Sequence, residues 1–122
     1  MKTIDLSFSE RFTKSQGNAE FFKNEGCAGF FEHLLNHGLS SKYPQGNVPV
    51  SKGKILARIQ AKLDDLKPKE GVQPENILLE VEEAEYDLLK SVFLDENTAF
   101  HISQHQLVAV FSAALEEAAK EK

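Results

Sequence analysis

The side chains equipped for chemistry in this sequence fall into four groups. All four histidines come as two pairs at spacing four, His33/His37 and His101/His105. On a continuous helix that spacing puts two imidazoles on one side about one turn apart, where they can share a divalent metal with Glu32 or Cys27 as a further ligand. HLLNH, however, lacks the glutamate directly after the first histidine that makes H-E-x-x-H a hydrolytic zinc signature. The second pair is divided by the helix boundary argued below, so no metal site and no cofactor is expected. Cys27, the one cysteine, has no sequence-near base to hold it as a thiolate. It shares an apolar face with Phe30 and Phe31 and reads as a small core residue.

The other two groups are charged. Lys52, Lys54, Arg58 and Lys62, followed by Lys67 and Lys69, make the basic cluster, which can contact phosphates by releasing their counterions. Against that, Asp64 and Asp65 interrupt it, the isoelectric point is near 5.4, and no helix-turn-helix, RRM or zinc-finger pattern accompanies it. The acidic run is Glu80, Glu82, Glu83, Glu85 and Asp87. It reads either as a strand end and first helical turn, where carboxylates complement the helix dipole, or as a docking face for a basic partner surface, including mimicry of a nucleic-acid backbone. Paired carboxylates for acid/base work need a pocket signature that is missing here. No catalytic residue is assigned, and no enzyme is expected.

The two charged groups belong to a gradient along the chain. Residues 1–69 carry 11 Lys+Arg against 7 Asp+Glu, and residues 70–122 carry 3 against 12, so the net −5 divides into +4 and −9. Halves of opposite sign either neutralise each other by packing or offer two surfaces to partners.

The elements that position these groups follow from periodicity. Asn76 to Phe93 alternates Ile77, Leu79 and Val81, then switches period so that Ala84, Leu88, Leu89, Val92 and Phe93 share a helical face. A strand therefore runs almost directly into a helix, with Glu82 and Glu85 on its solvated side. Ile4, Leu6 and Phe8 alternate in the same way, which predicts a strand over about 2–8 whose evident partner is 77–81. Asn18 is placed as the N-cap of a short helix that Gly26 ends or kinks. Cys27 to His37 continues helically, with Gly38 at C′ and an irregular stretch from Gly38 to Pro49. Ser51 is the expected N-cap of a helix bearing Ile55, Leu56, Ile59, Leu63 and Leu66, stopped before Pro68. Asp64 and Asp65 lie at the wrong end of that helix for its dipole. Ser103 and Gln106 form an S-x-x-Q capping box, with Ile102 and Leu107 as a hydrophobic staple, for a final helix carrying Phe111 and Leu115. That start leaves His101 outside the helix.

These elements make one domain, 1–122, of class α+β and predominantly helical, with four or five helices and two short strands around one core. No apolar run reaches the roughly 20 residues of a membrane span, and the N-terminus lacks a signal-peptide core. A cytoplasmic location is expected. The stretch ILLEVEEAEYDLLKSVF followed by a capped helix, within residues 54–115, resembles small uncharacterised proteins encoded in tailed-phage and prophage gene clusters. The resemblance implies a small accessory or assembly protein that works by binding other proteins. The expectation is therefore a non-enzymatic protein-interaction module. Its alternative is a nucleic-acid-associated regulatory protein using Lys52, Lys54, Arg58 and Lys62.

Overall fold

The computed structural model describes residues 2–7, 16–43, 45–69, 77–101 and 104–120, with the backbone alone for 16–20 and 22. In chain order the elements are β1 (Lys2–Asp5), α1 (Gln16–Lys42), α2 (Val50–Leu66), β2 (Leu78–Val81), α3 (Glu83–Phe93) and α4 (His105–Ala118). The chain is α+β and predominantly helical, as its periodicities predict.

The strands pair antiparallel, Ile4 opposite Leu79 and Asp5 opposite Leu78. The pairing continues one step past β1, because the Leu6 amide donates to the Ile77 carbonyl at 2.8 Å. Ile4, Leu6, Leu79 and Val81 turn inward and are buried, whereas Asp5, Leu78 and Glu80 face out. A two-stranded sheet is marginal alone. Here α2 packs beside β2 and α4 beside β1.

In α1, Gly26 has φ 68° and kinks the helix, a conformation that glycine adopts without steric cost. The kink brings Phe21 edge-on to Phe30, centroids 4.7 Å apart. Further along, Phe31 stacks on Phe93 at 4.9 Å and meets Phe111 edge-on at 5.0 Å, joining α1, α3 and α4. Tyr86 ties α3 to α4 a second time, its hydroxyl donating to the Leu115 carbonyl at 2.6 Å. One cluster of buried apolar residues draws on every element.

Several boundaries differ from those expected. Gly38 does not end α1, which runs on to Lys42. It is buried, and a Cβ there would collide with Val92 Cγ1 and lie 3.0 Å from Phe100 Cζ, so the glycine permits a close approach instead of a stop. The irregular stretch correspondingly begins after Lys42 and not at Gly38. Asn18 lies inside α1, which starts at Gln16. Helix α2 starts at Val50, so Ser51 is inside it; Pro49 occupies the cap position with no side-chain cap bond. It ends at Leu66, with Lys67 extended at ψ 153° before Pro68, as the clash with the proline ring requires. The expected cap Ser103 and its neighbour Ile102 lie outside the described residues, as does Phe8. What is seen at that end is the His101 amide donating to Gln104 Oε1 at 3.0 Å, one residue before α4.

Candidate functional site

The acidic run splits in two. Glu85 is expected on the solvated side of α3 but is 1% exposed, while Ala84, expected inside, is exposed. The reason is local. Glu85 occupies the third position of α3, where its Oε1 accepts the Glu82 amide at 2.8 Å and closes a capping box. The same oxygen accepts the Lys62 ammonium from α2 at 2.6 Å, and that ammonium also donates to the Glu80 carbonyl at 3.0 Å. Burial pushes the Glu85 carboxyl up, but the Glu82 amide, the Lys62 ammonium and the Arg58 charge outweigh it, and the net direction is down. Glu85 is therefore an internal anion and is corrected as a candidate partner-binding residue. Glu80, Glu82, Glu83 and Asp87 remain exposed.

The basic cluster splits as well. Lys62 is engaged by Glu85. Lys67 joins α1 to α2 by ion pairs to Asp64 at 3.0 Å, Glu32 at 3.3 Å and Glu25 at 3.5 Å. Burial pulls the Lys67 ammonium down, yet Asp64 and Glu32 raise it above its ordinary value. Lys52, Lys54 and Arg58 stay exposed on α2. The opposite charges of the two halves thus neutralise each other in part by packing, and surfaces of both signs are left over.

His33 and His37 do share one side of α1, with ring centroids 4.4 Å apart. Burial and the neighbouring His37 both hold the His33 imidazole below its ordinary pKa. Among the described residues no group of three or more His, Cys, Asp or Glu is placed to hold a metal ion. His105 opens α4 while His101 precedes it, so the second pair does not share a helical face. Cys27 is buried in the core.

The feature that sequence reasoning missed is Leu78. It is an apolar residue at an outward register of β2 and is 45% exposed. Two open grooves meet at it. One, of about 270 Å³, is walled by Lys62, Asp65 and Leu66 of α2 together with Glu80. The other, of about 480 Å³, lies between the outer side of β1 and α4 and is lined by Asp5, Val110, Ala114 and Glu117 among others. Together they make a trough across the open face of the sheet, with an apolar floor and carboxylates of Asp5, Asp65, Glu80 and Glu117 on its walls. The signal was present in the sequence, since Leu78 breaks an otherwise strict alternation of apolar and polar residues. Such a surface offers an apolar contact that can exclude water and a negative field that can orient a basic ligand.

Comparison with protein-family models, with curated proteins and with solved structures returned no match. Among the described residues no helix is long and apolar enough to cross a membrane.

Proposed function

We propose that this chain is a small non-enzymatic protein-interaction module, cytoplasmic and of the accessory or assembly kind that the resemblance to phage and prophage proteins implies. It grips a partner protein over the open face of its sheet. The observation that carries this reading is Leu78, a large apolar side chain held outward at the meeting of two grooves whose walls carry Asp5, Asp65, Glu80 and Glu117. Water leaves such a surface readily when an apolar side chain covers it. Glu82, Glu83 and Asp87 extend the negative field along the adjoining helix.

The reading as a nucleic-acid-associated regulator has less to stand on, because Lys62 and Lys67 are committed to carboxylates of the chain itself. One assay separates the two. Bait protein and its Leu78→Asp variant are used for retention from a host extract, and each retained protein is then purified and tested for direct binding. The module reading expects a protein that binds the parent chain and not the variant, with both still melting cooperatively well above the assay temperature. Equal binding by both would overturn it, and salt-sensitive retention of DNA or RNA lost on Lys54→Glu would replace it with the alternative.

A further inference from the structure

The occupant of the trough can be named from the other end of α2. Among the described residues two large apolar side chains are exposed, Leu78 and Val50, the latter at 76%. Val50 is the first residue of α2, and Lys62, Asp65 and Leu66 near its last turn wall the Leu78 trough. At about 1.5 Å per residue the two ends of this 17-residue helix are roughly 24 Å apart, so Val50 cannot enter the trough of its own molecule. The trough is nonetheless large enough for it, since about 270 Å³ is several times the roughly 30 Å³ share of one water.

The charges around the two apolar side chains are complementary. Val50 is accompanied by exposed Lys52 and Lys54, with no acidic residue in the first turn of the helix. Leu78 is flanked by Asp5, Asp65, Glu80 and Glu117, and the lysine in the same walls, Lys62, is already neutralised by Glu85. Both ends of α2 are moreover charged against its own dipole, with lysines at the positive end and Asp64 and Asp65 at the negative end. Lys67 answers Asp64, while Lys52, Lys54 and Asp65 have no ion pair among the described residues. Stacking the lysine end of one molecule on the acidic end of another relieves both.

We propose that the Leu78 trough receives Val50, with Lys52 and Lys54, from a second copy of this chain, giving a head-to-tail assembly. Resting on the reading of the trough as a docking face, it makes the partner the chain itself. Because the two contacting patches differ, the interface is heterologous and each added copy leaves one free patch of either kind, so growth continues into a ring or an open chain.

The test is sedimentation velocity on the purified full chain across a wide concentration range. The expected result is a mean mass that climbs past that of a dimer at low salt and falls back toward the monomer as salt screens the lysine–carboxylate contacts. Val50→Asp and Leu78→Asp should each abolish growth while keeping a cooperative thermal transition, with the midpoint raised in the first, which puts an acid at the positive end of α2, and lowered in the second, which faces Asp5 across the strand pair. Mixed together they should form a one-to-one dimer and nothing larger, because each variant keeps the patch the other has lost. Lys54→Glu should block growth, and Glu80→Lys in the same chain should restore it. A chain that stays monomeric at every concentration in low salt, or a variant mixture that forms no dimer, would overturn the proposal. If the monomeric chain still binds a host protein through Leu78, self-assembly falls and the docking face stands. If Leu78→Asp alters neither, both readings fall.

Discussion

Lys62 and Glu85, 23 residues apart in the chain, form a 2.6 Å ion pair in which the carboxylate is 1% exposed and the lysine side chain 35%. The pair joins the C-terminal part of α2 to the first turn of α3 and so holds one wall of the Leu78 trough against β2. Its asymmetry matters energetically. The ammonium keeps much of its water, while the carboxylate depends on protein donors.

Removing the lysine head group while keeping its stem, Lys62→Met, should leave Glu85 with the Glu82 amide as its remaining direct donor. Breaking a fully buried pair costs about 3–5 kcal/mol. Solvent at the ammonium end screens this one, so a loss of about 1–3 kcal/mol is expected. Because Glu85 sits below its ordinary value of 4.5 in the folded chain, its contribution is present above that pH and is lost as the pH falls through the folded value. Urea midpoints measured at about pH 3 and pH 7 should therefore converge in Glu85→Gln relative to the parent chain. Parallel pH profiles would mean the carboxylate is not held by these donors.

The two faces of β2 should respond in opposite ways to the same substitution. Leu79, 1% exposed, is packed under the sheet, and Leu79→Ala should cost about 2–5 kcal/mol. Leu88→Ala, which empties the α3 side of the same core, belongs in that range too. Leu78→Ala, one residue away on the outer face, should change the unfolding free energy from denaturant titration by no more than about 0.5 kcal/mol. Similar losses at Leu78 and Leu79 would mean that the strand register is misassigned.

Gly38→Ala tests whether the glycine serves close packing. A mid-helix alanine normally gains up to about 1 kcal/mol over glycine. Here the added methyl meets Val92, Phe100 and Thr98, and overpacking of that kind costs about 1–3 kcal/mol. A net fall in thermal midpoint is expected, whereas a rise would show that α3 and the segment after it yield easily at that contact.

These cases show which parts of the architecture local sequence can carry. The strand-to-helix unit was legible because its hydrophobic period changes within a few residues, and the paired strands were legible from their matching alternation. Gly38 misled because glycine after an apolar helical run ordinarily marks a left-handed C′ residue. The competing use, letting Val92 approach the backbone, depends on a segment more than fifty residues away. Glu85 misled for a similar reason, since an acid in a first turn reads as solvated until Lys62 is brought to it. Of the trough, Leu78 could have been picked out as an apolar residue in a polar register. Its walls come from β1, α2 and α4, and no spacing rule joins them. The reversed charges of α2 were visible in sequence, but that Asp65 lies beside Leu78 needed the last turn of the helix placed against the sheet.

Tyr86 offers the last test, because it is the buried polar link between α3 and α4. Its hydroxyl donates to the Leu115 carbonyl at 2.6 Å. That carbonyl also accepts the Ala119 amide at 3.1 Å, so Tyr86→Phe does not strand a buried acceptor. The loss should be that of one ordinary hydrogen bond, about 0.5–1.5 kcal/mol, and not the larger cost of an orphaned group. The pH dependence reads the burial of the phenol separately. Burial raises the phenol above its ordinary value of 10.0, and Glu83, Asp87 and Glu116 raise it further. Since the folded value is the higher one, the neutral phenol stabilises the fold fully below 10.0, and that contribution is lost as the pH rises through the folded value. The parent chain should therefore lose stability on the alkaline side more steeply than Tyr86→Phe, read as denaturant midpoint against pH. A near-ultraviolet titration should show the highest-titrating phenol missing from the variant. Identical alkaline limbs in the two proteins would mean that Tyr86 ionises as freely folded as unfolded, and that its phenol is not buried between the two helices.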